Sequence, residues 1–225
     1  MQTIPIIFSA IALTISLVTL WLTLLYRGKV RMTQPSVIYF GADSGSTSPG
    51  AKVYLRTLLF CTAKRGRVIE TMYVALRRNE TRQNFSVWVN GDDRLARGSG
   101  LFVSENGVVA NHHFLPPPED NSFAFREGSY QIEVFAKLID KKESQKLFEH
   151  ELFVNPRDAK ALEDSSMGLY FDWAPEIARY IPHLKRKPQE TTPQEILERL
   201  SFRHELFKTT HGERVEPDSV RGENL

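Results

Sequence analysis

The hydrophobic pattern divides the chain into an apolar first segment, an alternating middle and a more polar end. Residues 4–26 carry no charged side chain, and 17 of these 23 residues are apolar. A helix of that length rises roughly 34 Å, which is enough to cross a hydrocarbon core of about 30 Å. The pattern therefore predicts a short N-terminus at residues 1–3, followed by a transmembrane helix over residues 4–26.

A cleaved signal peptide and a buried core helix are the alternatives to an uncleaved anchor. A signal peptide has a basic start, a shorter apolar run and small residues before the cleavage site. Here residues 1–3 are uncharged, and the apolar run ends in bulky side chains. Trp21 and Tyr26 lie near the end of the run, where interfacial aromatic residues anchor membrane helices. We therefore favour an uncleaved, single-pass anchor that contacts the lipid bilayer.

Three basic residues follow the apolar run and set the expected orientation. Arg27, Lys29 and Arg31 lie in residues 27–34, which we interpret as a basic juxtamembrane linker at the membrane surface. The positive-inside rule places the following domain in the cytoplasm. Two N-glycosylation sequons, at Asn79 and Asn84, favour the opposite, exported topology. We give more weight to the charges because three-residue motifs often occur by chance.

Residues 35–155 show the two-residue period of half-buried strands. The clearest alternation runs over residues 130–138, with Phe135 as its exception. Turn signals recur about every ten residues, and Asn106-Gly107 suits a tight hairpin because both residues tolerate positive φ. Seven or eight short antiparallel strands predict a mainly β domain, a β-sandwich.

A local motif precedes the clearest strand. Glu127-Gly128-Ser129-Tyr130 resembles the tyrosine corner of immunoglobulin-like sandwiches. The resemblance implies that the Tyr130 hydroxyl bonds backbone just upstream. The position two residues later is Ile132 rather than the cysteine of antibody domains, so a fibronectin-III-like or bacterial immunoglobulin-like sandwich fits better. The alternative is a tyrosine that merely begins a strand.

The last third of the chain is more polar. Residues 156–191 form an aromatic-containing connector that either packs on the sandwich, which we favour, or binds a partner. Thr192-Pro193-Gln194-Glu195 reads as a capping box and predicts an amphipathic helix over residues 192–207. Residues 208–225 are expected to be disordered.

The sequence offers weak candidates for chemistry. His112 and His113 are neighbours on a predicted strand, so they point to opposite faces and do not chelate one ion. Asp92-Asp93 lacks the alternating acidic loop of a calcium site, and Ser99 lacks the context of a nucleophile elbow. Cys61 lies on an apolar strand face and reads as core. We predict no catalytic, metal-binding or cofactor-binding residues.

Charge is unevenly distributed along the chain. Residues 1–100 carry a net charge of +8 and residues 101–225 a net charge of −6. Basic residues of the first half either meet anionic lipid headgroups or form an ordinary solvated surface. Because the whole chain has a net charge of only +2, we expect no nucleic-acid partner.

These features together predict a membrane-anchored, non-catalytic interaction module. It presents a β-sandwich and a tail to a protein partner at the cytoplasmic membrane surface. One alternative is an envelope enzyme, or an enzyme subunit, with a site assembled from loops. Another is an exported, surface-exposed adhesive domain with the opposite topology.

Overall fold

The structure is a computed structural model that describes residues 3–43, 50–90, 96–97, 100–117 and 122–187, with the backbone alone at 90, 96 and 97. The predicted amphipathic helix over residues 192–207 and the tail over residues 208–225 lie outside the described residues. The same holds for Asp92-Asp93 and Ser99.

The apolar N-terminal segment forms one continuous helix. The α-helix α1 (Thr3–Leu20) continues as a π-helical turn over Trp21–Leu25. Over these 23 residues the helix is long and apolar enough to cross a membrane, and no part of its most apolar stretch is buried in the protein. It is therefore not a core helix of the domain that follows.

The described residues after the helix are mainly β-strands. The strands are β1 (Val30–Met32), β2 (Val37–Ala42), β3 (Ala51–Cys61), β4 (Arg67–Arg78), β5 (Thr81–Phe85), β6 (Val87–Asn90), β7 (Ala96–Arg97), β8 (Leu101–Val103), β9 (Val108–Leu115), β10 (Gly128–Leu138), β11 (Ser144–Val154), β12 (Met167–Ala174) and β13 (Arg179–Arg186). One short helix, α2 (Pro156–Ala161), follows β11. Its N-cap is Asn155, whose side chain accepts the Asp158 N–H.

The strands form two antiparallel sheets. The first has the order β13-β12-β2-β3-β9-β6-β7, with β1 paired to the end of β3. The second has the order β11-β10-β4-β5, with β8 paired to the start of β4. The prediction of a mainly β protein with antiparallel sheets after an apolar helix is confirmed.

The core lies between the inner faces of the two sheets. In β3 every second residue is buried, as a strand with one solvated face requires. Phe40 on the first sheet is fully buried, and its ring lies 5.8 Å from that of Tyr130 on the second. The rings of Phe125 and Phe171 lie 4.8 and 5.2 Å from Phe40. This aromatic cluster joins the sheets at one end of β2.

Tyr130 makes the hydrogen bonds that the tyrosine-corner resemblance implies. Its hydroxyl donates to the Arg126 carbonyl and accepts from the Arg126 N–H, both at 2.8 Å. The side chain is 1% exposed, and Ile132 two residues later is fully buried. The motif therefore fixes the entry into β10 through one backbone unit upstream.

We expect Tyr130→Phe to lower the free energy of unfolding by about 0.5–1.5 kcal/mol, because the ring stays packed while the hydroxyl bonds are lost. Tyr73→Phe is the matched control, since the Tyr73 ring stacks on Phe135 outside the core, and should change stability by less than about 0.5 kcal/mol. Urea denaturation of the full chain in detergent micelles measures both. Equal midpoints for the two variants would contradict the role of the corner.

Two predicted boundaries need correction. The segment expected to be a linker, residues 27–34, contains β1, whose Val30 lies opposite Cys61. Three strand residues give too short an alternation to be recognised in the sequence. The segment expected to be a connector, residues 156–191, contains α2 and the hairpin of β12 and β13, and β12 pairs with β2. Its aromatic residues thus extend the first sheet.

The turn at Asn106-Gly107 also differs from the prediction of a hairpin. Gly107 has φ +77 and its N–H donates to the Ser104 carbonyl, so the turn itself is present. However, β8 before it pairs with β4 and β9 after it pairs with β3. The turn therefore connects the two sheets, because turn chemistry sets a local reversal and not the pairing partner.

Among the strands that the structure describes, β13 lies at one edge of the first sheet. Its exposed residues include Pro182, which has no N–H to offer a further strand. The exposed basic residues of the strand are Arg179, Lys185 and Arg186.

Candidate membrane-proximal site

The helix and the sandwich are joined by a short, hydrogen-bonded junction. The Lys29 N–H donates to Thr62 Oγ1 at 2.8 Å, and the Thr62 N–H donates to the Lys29 carbonyl at 3.0 Å. Gly28 has φ +62, and a Cβ at this position would lie 2.6 Å from Ala63 Cβ. Only glycine combines this backbone conformation with so close an approach. The junction is thus fixed against the turn between β3 and β4.

A second element of that turn reaches the helix itself. The Arg65 guanidinium donates to the Leu24 carbonyl at 3.1 Å. The last carbonyls of a helix have no partner within it, and a basic side chain is one means of satisfying them. Since Leu24 belongs to the final π-helical turn, the β3–β4 turn lies directly beside the end of the candidate span.

Asp140 holds the junction from the turn between β10 and β11. Its two carboxylate oxygens bind Arg27 at 2.8 Å and Arg67 at 2.6 Å. Arg67 also donates to the Gly28 carbonyl at 3.1 Å. Burial opposes ionisation of Asp140, but the hydrogen bonds from Arg67 and Arg27 outweigh it and lower the pKa of the carboxyl. The Asp140 carboxylate is therefore charged near neutral pH, and it forms ion pairs with both Arg27 and Arg67.

The three residues predicted to lie at the membrane surface have different environments. Arg27, Lys29 and Arg31 are all exposed at the end of the sandwich nearest the helix. Arg27, with 59% of its side chain exposed, is also bound by Asp140, whereas Arg31 lies on β1 opposite Phe60. The sequence grouped these residues because they follow the apolar run directly.

Sequence reasoning missed the residues that complete the site. In the sequence, Arg65 and Arg67 only add to the basic excess of the first half, and no local motif marks Asp140. Asp140 lies 113 residues from Arg27 in the chain. Only the pairing of β10 with β4 brings it to the helix end, and no local pattern signals that pairing.

Two of the open cavities among the described residues lie away from the junction. The larger, of about 580 Å³, is lined by polar side chains that include Ser129, Glu149 and Glu151. Its carboxylates are engaged by neighbours: Glu149 accepts from Lys146, and Glu151 accepts from the Ser129 hydroxyl. The smaller, of about 270 Å³, is lined by three arginines, Phe123 and Tyr130 among others.

His112 and His113 lie in different environments. His112 is fully buried, and its Nδ1 accepts the Trp88 indole N–H at 3.1 Å. The His113 ring lies on the Tyr54 ring at 4.8 Å. Within the described part of the chain, no group of three or more His, Cys, Asp or Glu side chains is placed to hold a metal ion. Cys61 is buried in the core.

Burial of His112 makes stability depend on pH. Burial and, secondly, the neighbouring His113 lower the pKa of His112 from 6.5 to about 4. As the pH falls below 6.5, the His112 imidazole becomes protonated in the unfolded chain, whereas in the folded chain it stays neutral until about pH 4. The free energy of unfolding should therefore keep its highest value above pH 6.5 and fall by about 3 kcal/mol between pH 6.5 and pH 4.

Urea denaturation across this pH range tests the prediction. His112→Gln should make the dependence shallower but not remove it, because burial also lowers the pKa of His150 and so contributes in the same direction. An equally steep dependence in His112→Gln would show that another group is responsible.

Comparison with known proteins gives little. No protein-family description matches the chain. No curated protein matches it. Among solved structures, a family 123 glycoside hydrolase from Clostridium perfringens, analysed for glycolipid glycan hydrolysis, is similar over 57% of this chain and 27% of that one. The sequence identity is 9% and the TM-score is 0.32, so this similarity indicates neither a shared fold nor a shared function.

Proposed function

We propose that the protein is a single-pass, membrane-anchored and non-catalytic interaction module. It presents an immunoglobulin-like β-sandwich and a C-terminal tail to a protein partner at the cytoplasmic membrane surface. The observation that carries the proposal is the exposed apolar helix whose last turn is bonded to the folded domain through Arg65 and Leu24.

The junction favours an uncleaved anchor over a signal peptide. A cleaved signal peptide leaves the mature domain, so its end has no need of specific contacts with that domain. Here Arg65 binds the Leu24 carbonyl, and Asp140 binds Arg27, the second residue after the helix. Cleavage at the end of the apolar run would remove the partner of Arg65 and disturb the partner of Asp140.

The orientation and the fold type rest on separate observations. Arg27, Lys29 and Arg31 are exposed just after the helix, which supports a cytoplasmic domain under the positive-inside rule. Two packed antiparallel sheets and the hydrogen bonds of Tyr130 to Arg126 support an immunoglobulin-like sandwich.

We expect the full chain to resist extraction by alkaline carbonate and a reporter fused after Leu225 to be cytoplasmic. Arg27→Glu/Lys29→Glu/Arg31→Glu should give mixed or inverted topology, because basic residues within about 15–20 residues of a span set orientation. Arg179→Glu/Lys185→Glu/Arg186→Glu is the matched control and should keep the topology, since these three exposed basic residues are far from the helix in sequence.

The exported adhesive alternative predicts a different result. Asn79 and Asn84 are both exposed, so export of the domain in a glycosylating host makes them available for modification. A mass increase removed by a glycosidase, or cleavage of the domain by protease added to intact cells, would contradict the cytoplasmic assignment. Release by carbonate would contradict the anchor itself.

A further inference from the structure

An exposed apolar row crosses the second sheet at the end nearest the helix. Phe102 on β8 lies directly opposite Val68 on β4, and the Ile139 N–H donates to the Val68 carbonyl at 3.2 Å. Directly opposite residues in an antiparallel pair share a face, and Ile69 next to Val68 is fully buried. The apolar row, Phe102, Val68 and Ile139, therefore lies on the outer face.

The ends of this row are strongly exposed. Phe102 is 56% exposed and Ile139 is 70% exposed. Ile139 is the most exposed large apolar side chain that the structure describes outside the N-terminal helix. Such a concentration of apolar surface beside basic residues is typical of an interaction site.

Each end of the row is next to a residue bonded to the helix end. Ile139 precedes Asp140, which binds Arg27 at 2.8 Å. The Phe102 ring lies over Gly66, where a Cβ would be 2.6 Å from Phe102 Cζ, and Gly66 follows Arg65. Arg65 in turn binds the carbonyl of Leu24. The row is thus tied to the helix end from both sides.

The position of Leu24 sets the depth of the row. When residues 3–25 span the hydrocarbon core of a bilayer, the Leu24 carbonyl lies near the boundary between that core and the headgroups. The headgroup region beyond this boundary is about 5–7 Å thick on each side. A guanidinium 3.1 Å from that carbonyl lies within the headgroup region, and Phe102 is close to the same turn.

The charges around the row suit an anionic surface. The β3–β4 and β10–β11 turns that flank it carry four exposed cations, Lys64, Arg65, Lys141 and Lys142, against two acidic residues, Asp140 and Glu143. Asp140, the acidic residue adjoining Ile139, is already neutralised by Arg27 and Arg67. Aromatic and aliphatic side chains beside Lys and Arg form the pattern by which peripheral segments enter a headgroup layer.

We propose that the apolar row is a second membrane contact, inserted into the headgroup layer of an anionic bilayer. It holds the sandwich against the surface rather than leaving it suspended from the helix. This inference rests on the proposed membrane anchor. A protein partner seated on the same row is the competing occupant, and the experiment below separates the two.

The test uses the full chain in vesicles of phosphatidylcholine and phosphatidylglycerol at 7:3, with no other protein present. In a Cys61→Ala background, Phe102→Cys or Ile139→Cys is labelled with the environment-sensitive dye NBD, and the vesicles carry lipid with a nitroxide at carbon 5 of the acyl chain. We expect both positions to lose at least half of their fluorescence. Vesicles of phosphatidylcholine alone should quench less.

Phe153→Cys is the matched control, because Phe153 is 62% exposed at the opposite end of the second sheet. Its dye should be quenched by less than a tenth. Lys141→Cys, in the same turn as Ile139, provides a further reporter should an apolar substitution prevent folding, and it should also be quenched.

Carbonate extraction of the same vesicles distinguishes the two levels of the proposal. If the chain stays in the membrane but positions 102, 139 and 141 are quenched no more than 153, the second contact is wrong and the anchor stands. If the chain is extracted, both are wrong.

Discussion

A chain that ends after Glu163 should fail to form a stable sandwich, whereas a chain that ends after Lys187 should be as stable as the full protein. The shorter chain lacks the hairpin of β12 and β13. That hairpin covers the edge of β2 and contributes Leu169, Phe171 and Tyr180 to the core. The longer chain retains every described strand.

The size of the effect follows from burial. Each large apolar side chain removed from water stabilises a fold by about 1.5–3 kcal/mol, so three of them approach the whole stability of a small domain, about 5–15 kcal/mol. Tyr180 also donates from its hydroxyl to the Pro35 carbonyl at 2.8 Å, which ties the hairpin to the segment before β2.

Circular dichroism and urea denaturation of the two shortened chains in detergent micelles measure the difference. A cooperative transition in the chain that ends after Glu163 would show that the first sheet does not need the hairpin. A large loss of stability in the chain that ends after Lys187 would show that residues 188–225 belong to the domain.

Phe40→Ala should lower the free energy of unfolding by about 3–5 kcal/mol. Phe40 is fully buried where both sheets meet, against the rings of Phe125, Tyr130 and Phe171. Replacing it removes buried apolar area and leaves a cavity that two hydrogen-bonded sheets cannot close easily.

Phe153→Ala is the control with the same chemical change at an exposed site. Phe153 is 62% exposed on β11, so its replacement should alter stability by about 0.5 kcal/mol or less. Tryptophan fluorescence during urea denaturation follows both variants. Similar midpoints for the two would mean that Phe40 is not at the centre of the core.

The long strands could be predicted because apolar and polar residues alternate in them over many positions. Residues 130–138 were expected to form a strand, and β10 runs over Gly128–Leu138. The exception at Phe135 has a structural cause. The register with β11 shifts between Val134 and Phe135, and the Phe135 ring stacks on Tyr73 on the outer face. An apolar residue on the outer side of a strand is thus explained by a cross-strand neighbour.

The candidate site was only partly predictable. Arg27, Lys29 and Arg31 follow from their place beside the apolar run, a local signal. Asp140 and Arg67 take part because β10 and β4 pair over a long sequence separation. A single sequence indicates which face of each strand is apolar. Several pairings of short strands are compatible with the same pattern, so the sequence does not determine which turns lie next to each other.

The edge strand β13 affects how copies of the protein interact when they are concentrated in the plane of a membrane. Proteins held by a membrane helix meet side by side at high local concentration, and an open sheet edge then acts as a template for strand addition between copies. Two copies that approached through β13 would bring Arg179, Lys185 and Arg186 of each together, and Pro182 would interrupt the ladder. The β13 edge thus opposes strand addition between neighbouring copies in the membrane.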